Sequence, residues 1–221
     1  MNLELARFNM IEQQIRPWEV LDPAVISILG SIRREDFVPS AHRAMAFADT
    51  QVPLLPGAPG GACMLEPKIE AKLLQELKVQ HHERALEIGA GSGFMAALLA
   101  RRAAQVTTLE INPDLAAMAR ANLQRAGLAK VQVLQADGAA GLPTAGPFDV
   151  VLLSGSVAAV PKSLLEQLRV GGRLAAIVGH LPIMQVKVWT RTAEASWSEE
   201  VIFETVAPRL LNFPESNSFK F

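Results

Sequence analysis

The stretch that most limits what this chain can become is Ala85-Leu86-Glu87-Ile88-Gly89-Ala90-Gly91-Ser92-Gly93-Phe94. A short apolar run enters it, three glycines alternate through it, and an alanine-rich run from Met95 to Ala100 leaves it. That order spells strand, tight glycine loop, helix. Glycines let the backbone turn sharply and bring its amides close to a ligand. The loop opens onto a helix N-terminus, where unpaired N–H groups and the positive dipole end favour a nucleotide-like ligand.

The dinucleotide fingerprint Gly-x-Gly-x-x-Gly/Ala asks for a small residue where Phe94 stands, which disfavours a nicotinamide dehydrogenase. Glu-x-Gly-x-Gly-x-Gly stands there instead. In this the chain resembles the Rossmann-like S-adenosylmethionine-dependent methyltransferases. Glu87 then serves the methionyl ammonium, directly or by holding the loop. About twenty residues past Gly89, the β-branched run Gln105-Val106-Thr107-Thr108-Leu109-Glu110 ends in an acid. An acid at the tip of the second strand is placed for the ribose hydroxyls; the alternative is a solvated glutamate closing a strand. Asp137, past the third strand, is placed for the adenine amino group with Gly138 leaving room for the ring, or else caps a helix. Ser154-Gly155-Ser156 after the fourth strand suits a cleft wall or a turn. The expected cofactor set is Glu87, Gly89, Ala90, Gly91, Ser92, Gly93, Glu110, Ile111, Asp137, Gly138 and Ser154.

Composition bounds the rest. Of 221 residues, 50% are hydrophobic and 19% charged, enough to bury a sizeable core. The net charge of −1 gives no bias toward nucleic acid or an anionic membrane. A single cysteine, Cys63, excludes an intrachain disulfide and a cysteine zinc site, and no metal is expected. There is no signal pattern at the start and no apolar run of the ~20 residues that span a bilayer, so a cytoplasmic protein is expected. Tyrosine is absent, which removes one class of acid and base.

In chain order, Leu3 to Ile15 has helical spacing with Leu5, Phe8, Ile11 and Ile15 on one face, and a second helix runs from Ala24 to Ile32 behind an Asp22-Pro23 cap. Arg33-Arg34 and the residues to Pro39 read as a surface loop. Ala44 to Gly61 is rich in proline and glycine and reads as a lid loop or a linker. Glu66-Pro67 opens a helix with Ile69, Leu73, Leu74 and Leu77 inward. Strands follow at Arg84–Ile88, Gln105–Glu110, Val131–Leu134, Phe148–Leu153 and Leu174–Val178. The intervening helices include one from Pro161 that Gly171-Gly172 ends. Met184–Arg191 and Trp197–Val206 alternate as an antiparallel pair. The prediction is an α/β fold, a doubly wound, mostly parallel sheet with an antiparallel C-terminal edge. Residues 1–82 supply N-terminal helices and the lid or substrate loop, packed on the same domain; residues 83–221 form the S-adenosylmethionine-binding domain.

Beyond the glycine motif the chain resembles the protein-L-isoaspartate O-methyltransferase family. The carrying stretches are Met10-Ile11-Glu12-Gln13-Gln14-Ile15-Arg16, Arg34-Glu35-Asp36-Phe37-Val38-Pro39, Ala48-Asp49 with Pro53-Leu54, Glu66-Pro67, Leu86 to Gly93, Ala136-Asp137-Gly138, Pro147-Phe148-Asp149 and Gly171-Gly172-Arg173-Leu174. The resemblance implies methyl transfer from S-adenosylmethionine to the free carboxylate of an isoaspartyl residue in damaged protein. It leaves S-adenosylhomocysteine and an ester that collapses to a succinimide. It implies protein or peptide partners, and Pro53, Leu54, Met64 and Leu65 as substrate or lid residues. The chain departs from the family at Gly-Gln-Thr-Ile-Ser-Gln-Pro, which here reads Gly61-Ala62-Cys63-Met64-Leu65-Glu66-Pro67. Leu65 stands at the serine and Cys63 at the threonine, so no catalytic residue is assigned. Two alternatives stay open: another carboxylate or small molecule as acceptor, or a cofactor-binding protein with impaired catalysis.

Overall fold

Regular alternation of apolar strands and capped helices after Arg84 builds a seven-stranded sheet in the computed structural model, which describes residues 2–57 and 61–215. Ala58, Pro59 and Gly60 of the proline–glycine loop lie outside the described residues. The elements are α1 (Leu3–Met10), α2 (Pro23–Ser31), β1 (Val52–Pro53), β2 (Cys63–Met64), α3 (Pro67–Leu77), β3 (Arg84–Ile88), α4 (Phe94–Ala100) and β4 (Gln105–Glu110). They continue with α5 (Pro113–Arg125), β5 (Gln132–Gln135), β6 (Phe148–Val157), α6 (Lys162–Leu165), β7 (Leu168–His180), β8 (Ile183–Ala193) and β9 (Ser196–Thr205). The strand order is β5-β4-β3-β6-β7-β8-β9, with β1 and β2 forming a separate antiparallel pair.

β3 through β7 pair parallel, and β7, β8 and β9 antiparallel, as the sequence predicts. From β3 the chain moves out to β5 and then returns to β6 on the other side. The carboxyl ends of β3 and β6 therefore form a switch point, where open α/β sheets bind ligands. The central strands are apolar on both sides because helices cover one face and the C-terminal segment, α6 and loops the other. Val150 and Leu152 face the cluster that includes α3, α4 and the N-terminal elements; Val151 and Leu153 face Leu86, Phe148 and Phe213.

Four expectations about elements are corrected. The first helix buries Met10, Ile11 and Ile15, whereas Leu5 and Phe8 are 55% and 59% exposed. Residues Ile11–Ile15 form a π-turn, whose i→i+5 spacing slows the rotation per residue and turns the earlier apolar phase away from the core. Ser154-Gly155-Ser156 does not follow the fourth strand; β6 runs through it to Val157, with a register shift between Leu152 and Ser156. The helix after Pro161 covers only Lys162–Leu165, and Gly171-Gly172 sits inside β7 as an irregularity between Leu168 and Arg173. Arg34 is not at the surface. It is 1% exposed, while its neighbour Arg33 holds the solvent side.

Candidate functional site

The glycine loop is pinned before any ligand is considered. Gly89 and Ala90 donate their amides to the Leu109 carbonyl at 2.8 and 3.1 Å, which ties the end of β3 to the end of β4. Gly89 has φ +93°, and a Cβ there would lie 2.8 Å from Leu210 Cδ2. Gly93 has φ +83° and caps α4; a Cβ there would press within 3.2 Å of the Ala119 backbone on α5. Gly93 thus serves the packing of α4 on α5. Ser92 is buried, accepts from the Phe94 amide at 3.3 Å and offers its carbonyl to Asn122.

The two acids of the loop region differ in character. Glu87 is fully buried and accepts from the hydroxyls of Thr108 and Ser154, each at 2.7 Å. It supports the loop from beneath. Burial pushes its carboxyl up to about 8 against the pull of those two hydroxyl donors. Glu110 is 6% exposed at the tip of β4 and accepts from the Gly91 amide at 2.9 Å through one oxygen and from Asn112 at 3.0 Å through the other. Each oxygen keeps a second lone pair toward the cleft.

The cleft at the switch point encloses about 800 Å³ of empty space, part of it open to solvent. Gly89, Gly91, Glu110, Ile111, Asp137, Gly138 and Ser154 line it together, with Leu54, Cys63 and Leu65 entering from the β1–β2 pair and its flanks. Ala90, Ser92, Glu87 and Met64 border a smaller adjoining chamber with Glu70. Pro53 is exposed on β1 opposite Cys63. Asp137 is exposed; its Oδ1 accepts from the Ala139 amide at 2.9 Å and its Oδ2 from Asn212 Nδ2 at 2.7 Å. The space beside the Gly138 α-carbon is filled by Ile88, whose Cγ2 would lie 2.3 Å from an added Cβ. The glycine there lets Asp137 approach the sheet.

Leu65 is buried between both spaces. Its carbonyl accepts from Arg34 Nη2 at 2.7 Å. Arg34 also donates to the Ala46 carbonyl at 3.0 Å, pairs with Glu70, and lies 4.9 Å over the Phe94 ring. Burial raises the Glu70 carboxyl despite that partner. Cys63 faces Gln51 Oε1 at 3.5 Å, and burial followed by the charges of Glu66 and Glu70 pushes its thiol up to about 12. At neutral pH it is a protonated thiol and no nucleophile.

Arg34, Glu70 and the segment Pro208–Phe213 were not expected at the site. Arg34 carries one signal: an arginine between apolar Ile32 and Phe37-Val38 faces inward only where it finds an acid, and that acid is 36 residues away. The C-terminal segment carries none, because its apolar residues have no period.

The buried acids make stability depend on pH with a definite sign. Burial lifts the Glu87 carboxyl from its ordinary 4.5 to about 8 in the folded chain, which therefore holds more protons over that window. Stability is full below about pH 4.5 and is lost as pH rises toward 8, by at most about 1.4 kcal/mol per pH unit for one group. Denaturant midpoints measured from pH 5 to pH 8 are expected to fall, and Glu87→Gln to flatten that fall. Equal slopes for the two proteins contradict the assignment.

A sequence profile described as protein-L-isoaspartate(D-aspartate) O-methyltransferase matches residues 6–208. A protein-L-isoaspartate O-methyltransferase of Methanoculleus marisnigri is 39% identical over 173 residues, covering 78% of this chain and 77% of its own. One from Methylorubrum populi is 41% identical over 176 residues, covering 80% and 81%. A solved structure of a protein-L-isoaspartate O-methyltransferase superposes with a TM-score of 0.80 at 22% identity, over 91% of this chain but only 65% of that one. A Plasmodium falciparum structure named for the same activity, in complex with S-adenosyl-L-homocysteine, gives 0.77 at 17% identity, over 95% and 98%. At those identities the two structures speak to the fold alone.

Proposed function

The chain belongs to the protein-L-isoaspartate(D-aspartate) O-methyltransferase family, and from that premise we propose that it methylates the carboxylate of isoaspartyl residues in damaged proteins, using S-adenosylmethionine. The observation that carries the reading is the convergence of Gly89, Gly91, Glu110 and Asp137 on one cleft at the sheet's switch point. The residues present fit an adenosyl group. Glu110 offers one lone pair from each oxygen to a ribose diol, and Asp137 presents a carboxylate at the mouth. Glu87 and Glu70 border the chamber beneath the loop, where burial raises both carboxyls and the cofactor's cationic end would draw them back toward the carboxylate form. Bound there, S-adenosylmethionine supplies a sulfonium methyl.

The acceptor carboxylate is ionised at pH 7, since its ordinary pKa is about 4. Transfer of that methyl to an already ionised oxygen would need no general base from the protein. The protein's task is alignment and exclusion of water. Leu54, Ala62 and Leu65 form the apolar wall suited to that exclusion. Cys63 presents a neutral S–H, a weak donor, where the family has a threonine. No described helix is long and apolar enough to cross a membrane, and we propose a cytoplasmic enzyme that meets its protein substrates there.

The test is transfer of labelled methyl from S-adenosylmethionine to an isoaspartyl peptide beside its aspartyl twin. Selective labelling of the isoaspartyl peptide is expected; equal labelling, or none, overturns the reading. Leu65 gives a second check. Leu65→Ser restores a hydroxyl at the family's position, and one added positioning hydrogen bond is worth roughly 1–3 kcal/mol, or about one to two decades in rate. The comparison is with Leu65→Ala, which makes the same cavity without the hydroxyl. A kcat/KM ratio near one between the two shows that the serine position is silent in this chain.

A further inference from the structure

We propose that Pro208–Phe213 is a strap across the cofactor cleft, hinged on β6 at Ser156 and latched to Asp137 by Asn212, and that cofactor exchange requires the latch to open. The inference rests on the reading of this cleft as a cofactor site. The family profile ends at residue 208, so the latch lies beyond the matched segment.

The strap crosses the strand ends in order. It leaves the sheet at Ser156 on β6, passes over the end of β3 and reaches Asp137 beyond β5. Leu210 rests over β3: its Cδ2 would be 2.8 Å from a Cβ on Gly89 and 2.9 Å from one on Gly155. Two glycines, one in the loop after β3 and one inside β6, therefore leave the space that one leucine of the strap fills. Phe213 is buried on the cleft side.

The two anchors are unequal. At the hinge, the Ser156 amide donates to the Pro208 carbonyl at 2.8 Å, the Leu210 amide to the Ser156 carbonyl at 2.9 Å, and the Ser156 hydroxyl to the Ala207 carbonyl at 2.8 Å. Arg209 adds a bond to the Gly179 carbonyl at 2.8 Å. At the far end the polar tie is Asn212 Nδ2 to Asp137 Oδ2, at 2.7 Å and open to solvent. Asn212 has φ +63°, a left-handed conformation that asparagine tolerates better than most residues. Beyond Asn212 the chain turns back, Glu215 pairing with Arg209 at 3.1 Å and His180 at 3.4 Å on the hinge side, so Asn212 is the polar tie across the cleft among the described residues and the segment opens there. Asp137 Oδ2 has a second lone pair, so Asn212 fixes the carboxylate's rotamer while leaving it an acceptor for a purine amino group. Opening removes both the cover and the orientation.

The measurement is the dissociation rate of S-adenosylhomocysteine, followed by displacement in stopped flow, with the equilibrium constant from calorimetry. Asn212→Ala and Asn212→Gly both remove the amide, and the glycine variant also relieves the backbone. Each is expected to speed release about five- to tenfold, the loss of one hydrogen bond to a charged acceptor, with the melting temperature of the free glycine variant unchanged and that of the alanine variant slightly lowered by the left-handed backbone. Leu210→Ala is expected to speed it as well. Release within twofold of the parent for both Asn212 variants overturns the strap while leaving the cofactor site intact. Failure of the parent chain to bind S-adenosylhomocysteine at all overturns the cleft reading and the strap with it.

Discussion

Glu110→Gln is expected to weaken S-adenosylhomocysteine binding by roughly two to three decades, the largest loss any single polar change in the cleft should cause. The reason lies in what its two oxygens already do. One accepts from Gly91 and the other from Asn112, so the carboxylate is fixed between the glycine loop and the start of α5. Glutamine has one carbonyl oxygen. Its NH₂ group must then face either the Gly91 amide or the Asn112 amide, donor against donor. The variant therefore loses a charge-assisted bond that shapes the loop and, at the same time, the acidic acceptor proposed for the ribose diol. Each such bond to a charged group is worth about 1.5–3 kcal/mol. Calorimetry on parent and variant reads the effect directly. Affinity within threefold of the parent removes Glu110 from the cofactor site, and the assignment of the cleft with it.

The same residue shows what sequence order reveals and what it hides. The spacing from Gly89 to Glu110 places an acid beside the loop, because parallel neighbours β3 and β4 end level with each other, Ile88 opposite Leu109. Alternating strands and capped helices give the sheet, its parallel part and its antiparallel edge for the same local reason. Asn112 caps α5 through the Asp114 and Leu115 amides, as its position before Pro113 suggests. Local rules lose hold where a residue's partner is distant in sequence. Ser154 and Ser156 look like turn residues, yet they remain in β6 because Glu87 and the Ala207 carbonyl take their hydroxyls. Gly138 looks like room for a ring, and Ile88 fills that room. Leu210 lies 121 positions from the glycine whose missing side chain it replaces, and no periodicity links them. At the start of the chain the periodicity itself misleads, since one π-turn re-aims Leu5 and Phe8.

Arg34→Met is expected to destabilise the protein by about 3–5 kcal/mol, because it removes one member of a buried ion pair. For a chain of this size that lowers the melting temperature by roughly 6–20 °C. Three partners lose their donor together: the Ala46 and Leu65 carbonyls and the Glu70 carboxylate. The contributions can be separated. Glu70→Leu in the Arg34→Met background removes the uncompensated acid and should recover the ionic part, since a buried pair replaced by apolar groups of similar size is often neutral. It cannot recover the two orphaned carbonyls, each costing about 1–3 kcal/mol. The double variant therefore stays below the parent, and Glu70→Leu alone, which leaves Arg34 buried with both carbonyls but no carboxylate, falls below it as well. Denaturant midpoints of the four proteins close the cycle; a double variant no more stable than Arg34→Met means that the ion pair is not what the substitution breaks. Because Arg34 holds the Leu65 carbonyl while stacking on Phe94, the same loss frees the acceptor wall from the helix behind the glycine loop. Methyl transfer in Arg34→Met should accordingly fall further in kcat than in affinity for S-adenosylhomocysteine, since the cofactor contacts proposed at Glu110 and Asp137 do not pass through Arg34.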